Sequence, residues 1–245
     1  MIFGGFGSGK STAYISLIES LPESVFYLID TDFAAERNIP PKHAHRVRYV
    51  QGDDLRSLMR QTKTEFIPEP RPQDFVIVDM SESLWKYVQV MVGKNKYNFQ
   101  IDELGNIKEP NPFKERMQYW GDCSYILATF WRTMIKKGCN LIACTGETAL
   151  VSTGIIADDE QTRGMYSRIG VKPTGGRKDG HYFHTVLHFS KDGPKYKVTT
   201  IKDKFTLQSE MEEHRDMFSR TDVTGQRFYT WYWEKYVESH RSIPD

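Results

Sequence analysis

One segment near the start of the chain constrains its fold more than any other. Residues 4–12 read Gly-Gly-Phe-Gly-Ser-Gly-Lys-Ser-Thr and fit the Walker A pattern G-x-x-x-x-G-K-[ST], whose glycines let backbone N–H groups converge on a phosphate. An apolar segment precedes the loop, and a helical pattern of apolar residues follows it until Pro22. The segment therefore predicts a strand, a phosphate-binding loop and a helix in succession. The predicted nucleotide-binding residues are Gly4, Gly5, Phe6, Gly7, Ser8, Gly9, Lys10, Ser11 and Thr12.

Two side chains of this loop have predicted roles beyond shaping it. Lys10 is placed to reach the β- and γ-phosphates of a nucleotide, and the Ser11 hydroxyl is placed to bind Mg²⁺. A carboxylate at the end of a buried strand completes such a Mg²⁺ site. Asp79 closes the apolar segment at 75–78 and is our candidate for this Walker B acid. The structural alternative is that Asp79 caps the following helix, where Ser81 and Ser83 are rival caps.

The composition suits one α/β domain. The 245 residues can form a sizeable core, and the formal net charge of +1 argues against a globally basic nucleic-acid binder but not against a local basic patch. Cys123, Cys139 and Cys144 lack C-x-x-C spacing, which indicates a reducing compartment without a disulfide framework or zinc site. No apolar run reaches the roughly 18 residues of a membrane span. No signal peptide is visible, so we expect a cytoplasmic protein.

Apolar strands alternate with helical patterns up to residue 145. We predict strands at 25–30, 45–50, 74–79 and 140–145 and helices at 82–92 and 113–137. Continuous apolar runs in such strands are typical of parallel strands buried on both faces. A β-hairpin is predicted at 181–190 and 195–201, with its turn at Asp192-Gly193. This order predicts an α/β fold, a doubly wound and mainly parallel sheet with antiparallel strands added at its C-terminal side.

The predicted core spans residues 1–205 and is followed by a tail. A polar stretch at about 93–112 is expected to be an excursion outside the core, and residues 154–180 form a second long connection. The tail, 206–245, is acidic around Glu210 and then aromatic. Its Phe228, Trp231 and Tyr232 share helical spacing, which predicts a packed helix face.

The segment after the second strand resembles a known family. Residues 27–37 read Tyr-Leu-Ile-Asp-Thr-Asp-Phe-Ala-Ala-Glu-Arg and are similar to the segment Y-I-D-T-E-G-T-F-x-x-E-R of RecA/RadA-type recombinases. In that family the acid after Asp-Thr is the catalytic glutamate of ATP hydrolysis. The resemblance implies that Asp32, one methylene shorter, positions the attacking water, with Glu36 and Asp30 as weaker candidates. The alternative is that these acids cap a helix.

The strand that ends at Thr145 has a counterpart in RecA-like ATPases. There the strand end carries a polar residue that senses the γ-phosphate and relays to a DNA loop. The resemblance implies that Glu147 or Thr145 occupies this position. An anion beside a phosphate is electrostatically unfavourable unless a water or a cation lies between them.

The connection after this strand corresponds, by the same resemblance, to the family's DNA-binding loops. Residues 161–183 combine cations, aromatic residues and glycines that are expected to keep the loop mobile, a combination that suits the phosphates and bases of single-stranded DNA. The predicted contacts are Arg163, Tyr166, Arg168, Lys172, Arg177 and Lys178. The alternative is an ordinary solvated loop, and the acids at 158–160 count against nucleic acid.

Residues 200–205, Thr-Ile-Lys-Asp-Lys-Phe, resemble the K-x-R-F element of hexameric RecA-like helicases and related ATPases. In those proteins a lysine and an arginine reach the γ-phosphate bound by the neighbouring subunit. The resemblance implies this role for Lys202 and Lys204, although a lysine in place of the arginine supplies charge without a bidentate contact. The active site would then be completed by another subunit of a homo-oligomer. An ordinary basic strand end is the alternative.

Together these segments resemble the compact, single-domain RecA-like ATPases of bacteriophages, from residue 2 to about 206. The resemblance implies a protein that binds and hydrolyses ATP with Mg²⁺ and acts on single-stranded DNA in recombination or annealing, as a ring or a filament. One alternative is a nucleic-acid motor, either a helicase or a genome-packaging ATPase subunit. Another is a P-loop nucleoside or small-molecule kinase with an arginine-rich lid. A nucleotide-binding scaffold without catalysis is the last alternative, because Asp32, Glu147 and Lys204 depart from the family pattern.

Overall fold

The computed structural model describes residues 1–52, 54–65, 69–101, 107–108, 113–151, 153, 157–176, 178–193, 195–203 and 213–215. In chain order the strands are β1 (Ile2–Gly4), β2 (Phe26–Asp30), β3 (Val47–Gln51), β4 (Phe75–Asp79), β5 (Gln100–Ile101), β6 (Ile107–Lys108), β7 (Asn140–Thr145), β8 (Glu147–Ala149), β9 (Val171–Pro173), β10 (Thr185–Asp192), β11 (Lys195–Asp203) and β12 (Glu213–Arg215). The α-helices are α1 (Lys10–Ser20), α2 (Leu55–Glu65), α3 (Ser81–Lys96), α4 (Phe113–Lys136), α5 (Glu160–Tyr166) and α6 (Asp179–Tyr182). Short 3-10 helices lie at Glu36–Asn38 and Pro41–Arg46.

The main sheet has eight strands in the order β12-β11-β10-β1-β7-β4-β2-β3. Every neighbouring pair from β10 to β3 in this order is parallel. The strands β11 and β12 continue the sheet beyond β10 as antiparallel additions. This arrangement confirms the predicted fold class, a mainly parallel α/β sheet with antiparallel strands at its C-terminal side.

Helices cover both faces of the parallel part of the sheet. On one face α1 packs Tyr14, Leu17 and Ile18 into a cluster with the apolar residues of β2 and β4. The residues of α2, α3 and α4 form the cluster on the other face. Both β2 and β4 are buried at every position, as expected for parallel strands between two helical layers. The two layers leave the carboxyl ends of the strands as the edge where loops collect.

The long helix α4 supplies a regular apolar stripe to the second face. Its buried residues recur at every third or fourth position, which is the spacing of one side of a helix. They are Tyr119, Cys123, Leu127, Trp131 and Met134. The stripe also contacts the connection that precedes β10, because Trp131 Nε1 donates a hydrogen bond to Asp179 Oδ1 at 3.2 Å.

The connection predicted to be a mobile loop is packed structure in its described residues. β9, within this connection, pairs with β8 just before it in a small antiparallel sheet. Between them α5 begins at an Asp159 cap, whose carboxylate accepts a hydrogen bond from the Thr162 N–H at 2.9 Å. Phe183, which follows α6, is buried in the core. The described residues of this connection therefore form α5, β9 and α6, because tertiary contacts override the glycine-rich composition.

Several boundaries differ from the predictions by a few residues. The strand β7 occupies the predicted 140–145, and the hairpin turns at Gly193 as expected, with a φ of +59°. The strand β10 begins at Thr185 instead of residue 181, because α6 takes the preceding residues. In the predicted excursion, α3 continues to Lys96 and β5 pairs with β6. The aromatic tail lies outside the described residues, except for β12 at 213–215.

No helix within the described residues combines the length and the apolar character that crossing a membrane requires.

Candidate functional site

The order of the strands brings the predicted site residues to one edge. The strand β7 lies between β1 and β4, so Ile2 and Asp79 both pair with Cys144. On the other side of β4, Asp79 pairs with Asp30. Since all these strands are parallel, the loops that follow β1, β2, β4 and β7 leave the sheet at the same edge. This edge is where an open parallel sheet binds its ligands.

Residues 4–12 form the loop between β1 and α1 and the first turn of α1, and are called the P-loop below. The backbone of the P-loop requires glycine at Gly4 and Gly9. Gly4 is packed against β10, and a Cβ built on it would lie 1.9 Å from the carbonyl oxygen of Phe189. Gly9 has a φ of +95°, which favours glycine, and it stands at the N-cap of α1. No side chain caps this helix, so the N–H groups of its first turn stay available for an anion. The Phe6 side chain is fully exposed to solvent. Any contribution of this residue to phosphate binding would therefore come from its backbone.

Lys10 lies folded against the loop that it belongs to. Its Nζ donates hydrogen bonds to the carbonyl oxygens of Gly4 at 2.8 Å and of Gly5 at 2.9 Å. The Ser8 hydroxyl is buried and has no hydrogen-bond partner among the described residues. A buried hydroxyl without a partner is costly, and a bound phosphate oxygen would supply one. The loop thus presents an ammonium group, a hydroxyl and helix N–H groups within one short segment.

Ser11 and Asp79 meet across the edge, as the sequence predicted for a Walker A and Walker B pair. The Ser11 hydroxyl donates a hydrogen bond to Asp79 Oδ2 at 3.3 Å, and the Tyr14 hydroxyl donates to the same oxygen at 2.8 Å. Burial raises the pKa of Asp79, and the nearby carboxylates of Asp30 and Asp32 also raise it, against the two hydrogen bonds. A cation placed here would relieve this accumulation of negative charge.

The donor set at Asp79 fits Mg²⁺. Magnesium prefers oxygen ligands and is usually held by one or two carboxylates together with substrate phosphates and waters. The Ser11 hydroxyl and the Asp79 carboxylate are such ligands and lie within hydrogen-bonding distance of each other. Among the described residues no group of three or more His, Cys, Asp and Glu side chains is arranged to hold a metal alone.

The loop after β2 is attached to the loop after β4 through Thr31. The Thr31 N–H donates to the carbonyl oxygen of Asp79 at 2.7 Å. The Thr31 hydroxyl donates to the Met80 carbonyl at 2.9 Å and accepts from the Met80 N–H at 2.8 Å. The peptide bond between Asp79 and Met80 is cis. These three contacts hold the Asp-Thr-Asp segment beside Asp79.

The three acids proposed to orient water differ in their surroundings. Asp30 is buried, and its Oδ2 accepts hydrogen bonds from the Ala35 N–H and from Gln51, so it organises its own loop. Asp32 is exposed and accepts a hydrogen bond from the Ser83 hydroxyl at 3.0 Å. Glu36 is exposed at the start of a 3-10 helix. Asp32 is therefore the acid that is both accessible and joined to the Asp79 loop.

Glu147 lies against the P-loop and pairs with a histidine. Its Oε1 is 3.3 Å from the place that a Cβ on Gly5 would occupy. Its Oε2 is 2.7 Å from His188 Nε2 on β10. Thr145, the other candidate for a sensor, is buried and donates its hydroxyl hydrogen to the Thr174 carbonyl oxygen at 2.7 Å. Of the two candidates, Glu147 is the one that faces the loop.

Two of the predicted DNA contacts belong to the interior of the protein. Tyr166 is buried in the core, where its ring lies edge-on to Phe3 with the centroids 5.7 Å apart. Lys172 forms a largely buried ion pair with Asp158. The sequence interpretation of Tyr166 as a base-stacking residue and of Lys172 as a phosphate contact is therefore corrected, because neither side chain is available at the surface.

The remaining predicted DNA contacts vary in exposure. Arg168 and Lys178 are exposed, whereas Arg163 is half-buried on α5. Arg177 lies outside the described residues. Of the predicted DNA contacts within the described residues, Arg168 and Lys178 are therefore the exposed ones.

Lys202, predicted to act on a neighbouring subunit, makes contacts in its own chain. Its Nζ donates to the carbonyl oxygens of Gly180 at 3.3 Å and of His181 at 3.1 Å. These oxygens belong to α6, so the lysine joins the end of β11 to that short helix. Lys204 lies outside the described residues.

Several residues at this edge were not singled out in the sequence. Tyr14 lies one helical turn after Ser11, and that spacing was a usable signal for a shared face. Glu82 accepts a hydrogen bond from the Gly146 N–H at 3.1 Å and thereby joins α3 to the end of β7. Neither Glu82 nor His188 has a local pattern that reveals its partner, because each contact joins distant parts of the chain.

No family model matches the chain, and no curated protein matches it. Solved structures do match, and among them is the crystal structure of the RadB recombinase, with 13% sequence identity and a TM-score of 0.48. The match covers 92% of this chain and 86% of the RadB chain. Because this similarity is too distant to carry a functional conclusion, any assignment has to rest on the geometry of the site.

Proposed function

We propose that the protein is a RecA-like P-loop ATPase that binds ATP with Mg²⁺ and hydrolyses it. The observation that carries this proposal is the contact between Ser11 and Asp79 beside Lys10, at the carboxyl edge of the sheet. A Gly-rich loop by itself suits many anions. A hydroxyl and a buried carboxylate that meet next to it suit a phosphate chain bound together with a divalent cation.

Each residue at this edge has a separate role in the proposed reaction. Lys10 would exchange its carbonyl contacts for the phosphate oxygens and balance their charge, as P-loop lysines do. Ser11 and Asp79 would hold Mg²⁺, which neutralises charge on the β- and γ-phosphates. Asp32, fixed near Asp79 through Thr31 and Ser83, would orient the attacking water. The chemistry then consists mainly of positioning and charge stabilisation.

We further propose that the protein acts on single-stranded DNA as a homo-oligomer. The exposed cations Arg168 and Lys178 support DNA contact, since exposed cations can bind the phosphates of a nucleic acid. The resemblance of residues 200–205 to the K-x-R-F element supports a role of Lys202 toward a neighbouring copy, for which Lys202 would have to release the carbonyl groups of α6. Recombination or annealing is the activity that we assign to this combination.

The nucleotide site is tested by measuring ATP turnover and the affinity for a non-hydrolysable ATP analogue with Mg²⁺. We expect Lys10→Ala to lose both binding and turnover, because the ammonium group at the phosphates is removed. Asp32→Asn should bind the analogue nearly as wild type does, while turnover falls by about 10²-fold or more, as for loss of a general base. Glu36→Gln is the matched control and should retain turnover. Lys10→Ala with undiminished hydrolysis would contradict the site.

The DNA assignment is tested in the same assay with and without single-stranded DNA. We expect binding that weakens with salt, and a further loss of affinity in the Arg168→Ala, Lys178→Ala double variant. Lys137→Ala, which removes an exposed ion pair with Glu69, is the control. Strand displacement coupled to steady turnover would favour the nucleic-acid motor. Transfer of phosphate to a nucleoside or another small acceptor would favour the kinase.

A further inference from the structure

We propose that Glu147 and His188 form a hydrogen-bonded pair in which His188 takes up a proton when a nucleoside triphosphate binds. Protonated His188 would neutralise Glu147 beside the bound anion and hold its carboxylate in place. This inference rests on the proposed nucleotide-binding function and adds His188 as a positioning residue of the same site.

The two oxygens of Glu147 face different neighbours. Oε2 lies 2.7 Å from His188 Nε2, which is a short hydrogen-bonding distance. Oε1 lies 3.3 Å from the place of a Cβ on Gly5, so the carboxylate touches the loop at the residue that follows Gly4. A triphosphate cradled by this loop would meet the carboxylate of Glu147. His188 therefore contacts the carboxylate that would lie beside the bound triphosphate.

His188 is held in place by the sheet. It pairs with Phe3 across the parallel strands β10 and β1, and its ring centroid lies 4.9 Å from that of Phe3. The side chain is 10% exposed, whereas that of Glu147 is 32% exposed. A packed imidazole loses little further freedom when it binds Glu147. The pair thus joins two strands, β8 and β10.

The elements around the pair carry both cations and carboxylates, among them Glu82, which accepts a hydrogen bond from the Gly146 N–H next to Glu147, and Glu160 on α5. Lys10 lies on the same loop and donates to the Gly5 carbonyl oxygen. His188 pairs with Thr199 on β11, where the nearest charged positions are Lys197 and Lys202. From α5, whose Tyr166 packs on Phe3, the nearest cation is Arg163. Glu147 is the anion in contact with the imidazole, so its carboxylate is the group whose charge the proton would balance.

The sign of the effect follows from charge. A bound triphosphate adds negative charge beside Glu147 and favours the protonated imidazole, so the complex holds more protons than the free protein. Histidine is the side chain that changes charge most readily near neutral pH, so the effect is sought there. The affinity for the nucleotide should therefore fall as the pH rises, by up to about tenfold per unit.

The test is calorimetric titration with a non-hydrolysable ATP analogue and saturating Mg²⁺ from pH 7.0 to 8.5, in buffers of different ionisation enthalpy. The wild type should take up a fraction of a proton and bind more weakly as the pH rises. His188→Gln keeps a hydrogen bond to Glu147 but carries no charge, so it should bind more weakly at pH 7.0 with little pH dependence. Glu147→Gln should also lose the pH dependence, and it should bind more tightly than the wild type at pH 8.5. His45→Gln, at an exposed histidine, should match the wild type.

The outcomes separate this inference from the function on which it rests. A wild type that binds the analogue without proton uptake, or a His188→Gln variant that keeps the wild-type pH dependence, overturns the pair and leaves the nucleotide site intact. Absence of analogue binding in the wild type overturns the proposed function itself. If His188→Gln does not fold, two measurements still test the pair: proton uptake by the wild type, and the pH dependence of binding in Glu147→Gln, whose substituted side chain is partly exposed.

Discussion

At the scale of single residues, Gly4 shows how closely the P-loop is packed into the sheet. The strand β10 runs parallel to β1, and its Phe189 carbonyl oxygen occupies the space that any side chain at position 4 would need. The motif has glycine at this position because the loop must turn around a phosphate. The structure adds a second reason, the close approach of a neighbouring strand.

We expect Gly4→Ala to destabilise the fold by about 3 kcal/mol, because the new Cβ overlaps a carbonyl group that is fixed in a strand pair. The measurement is urea unfolding without nucleotide. Gly7→Ala is the matched control in the same loop. Gly7 has a φ of +70° and no atom within 4 Å of its added Cβ, so we expect a cost of only about 1 kcal/mol from backbone strain. Equal costs in the two variants would contradict the packing explanation.

At the scale of elements, a buried acid joins α6 to α4. Asp179 accepts hydrogen bonds from Trp131 Nε1 at 3.2 Å and from the Gly176 N–H at 3.0 Å. Burial raises the pKa of Asp179 to about 7, against these two hydrogen bonds, which lower it. Since Lys202 donates to the same short helix, α6 connects the core helix to the end of β11.

This acid predicts a pH dependence of stability. An aspartate in the unfolded chain has a pKa of about 4, so between about pH 4 and 7 the folded chain holds more protons than the unfolded chain. The contribution of Asp179 to the free energy of unfolding should therefore fall as the pH rises through this range, with a slope of up to about 1.4 kcal/mol per unit, and level off above it.

The measurement is the urea midpoint from pH 4.5 to 8 for the wild type and Asp179→Asn. The variant should be less stable at low pH and should lack this decline, because it has no proton to lose. Asp159→Asn is the control, since the hydrogen bond from Thr162 holds the pKa of this exposed cap below its usual value. If Asp179→Asn keeps the wild-type decline, another group is responsible.

At the scale of the whole molecule, the proposed ATP site lies at an open edge of the sheet. Lys10, Ser11 and Asp79 come from one chain, and within that chain Lys202 donates hydrogen bonds to α6. A head-to-tail assembly would bring this lysine from one copy toward the loop of the next. The site shared between subunits that we propose is testable by mixing subunits.

We expect Lys10→Ala and Lys202→Ala to be nearly inactive alone, and their equimolar mixture to regain about a quarter of the wild-type turnover, because some interfaces then combine two intact sides. Turnover is measured after the subunits have exchanged, with assembly checked by light scattering. A mixture of Lys10→Ala with the Lys10→Ala, Lys202→Ala double variant is the control and should stay inactive. No recovery in an assembled mixture would place Lys202 in a role within its own chain.

The sequence by itself determined the parts of this protein that depend on local pattern. The glycine spacing around Lys10 predicted the strand, loop and helix, and the apolar runs before Asp30 and Asp79 predicted buried parallel strands, because backbone conformation and periodicity are encoded over a few residues. The antiparallel hairpin at the C-terminal side followed from the same kind of signal.

Only the tertiary structure decided which side chains meet and which are taken into the core. Ser11 and Asp79 are 68 positions apart, and Glu147 and His188 are 41 apart, so no local pattern reports either contact. Tyr166 and Lys172 carried the composition of a DNA loop, yet burial and the ion pair with Asp158 commit them to the interior. The physical reason is that the free energy of a side chain depends on what surrounds it in space, which the order of strands sets.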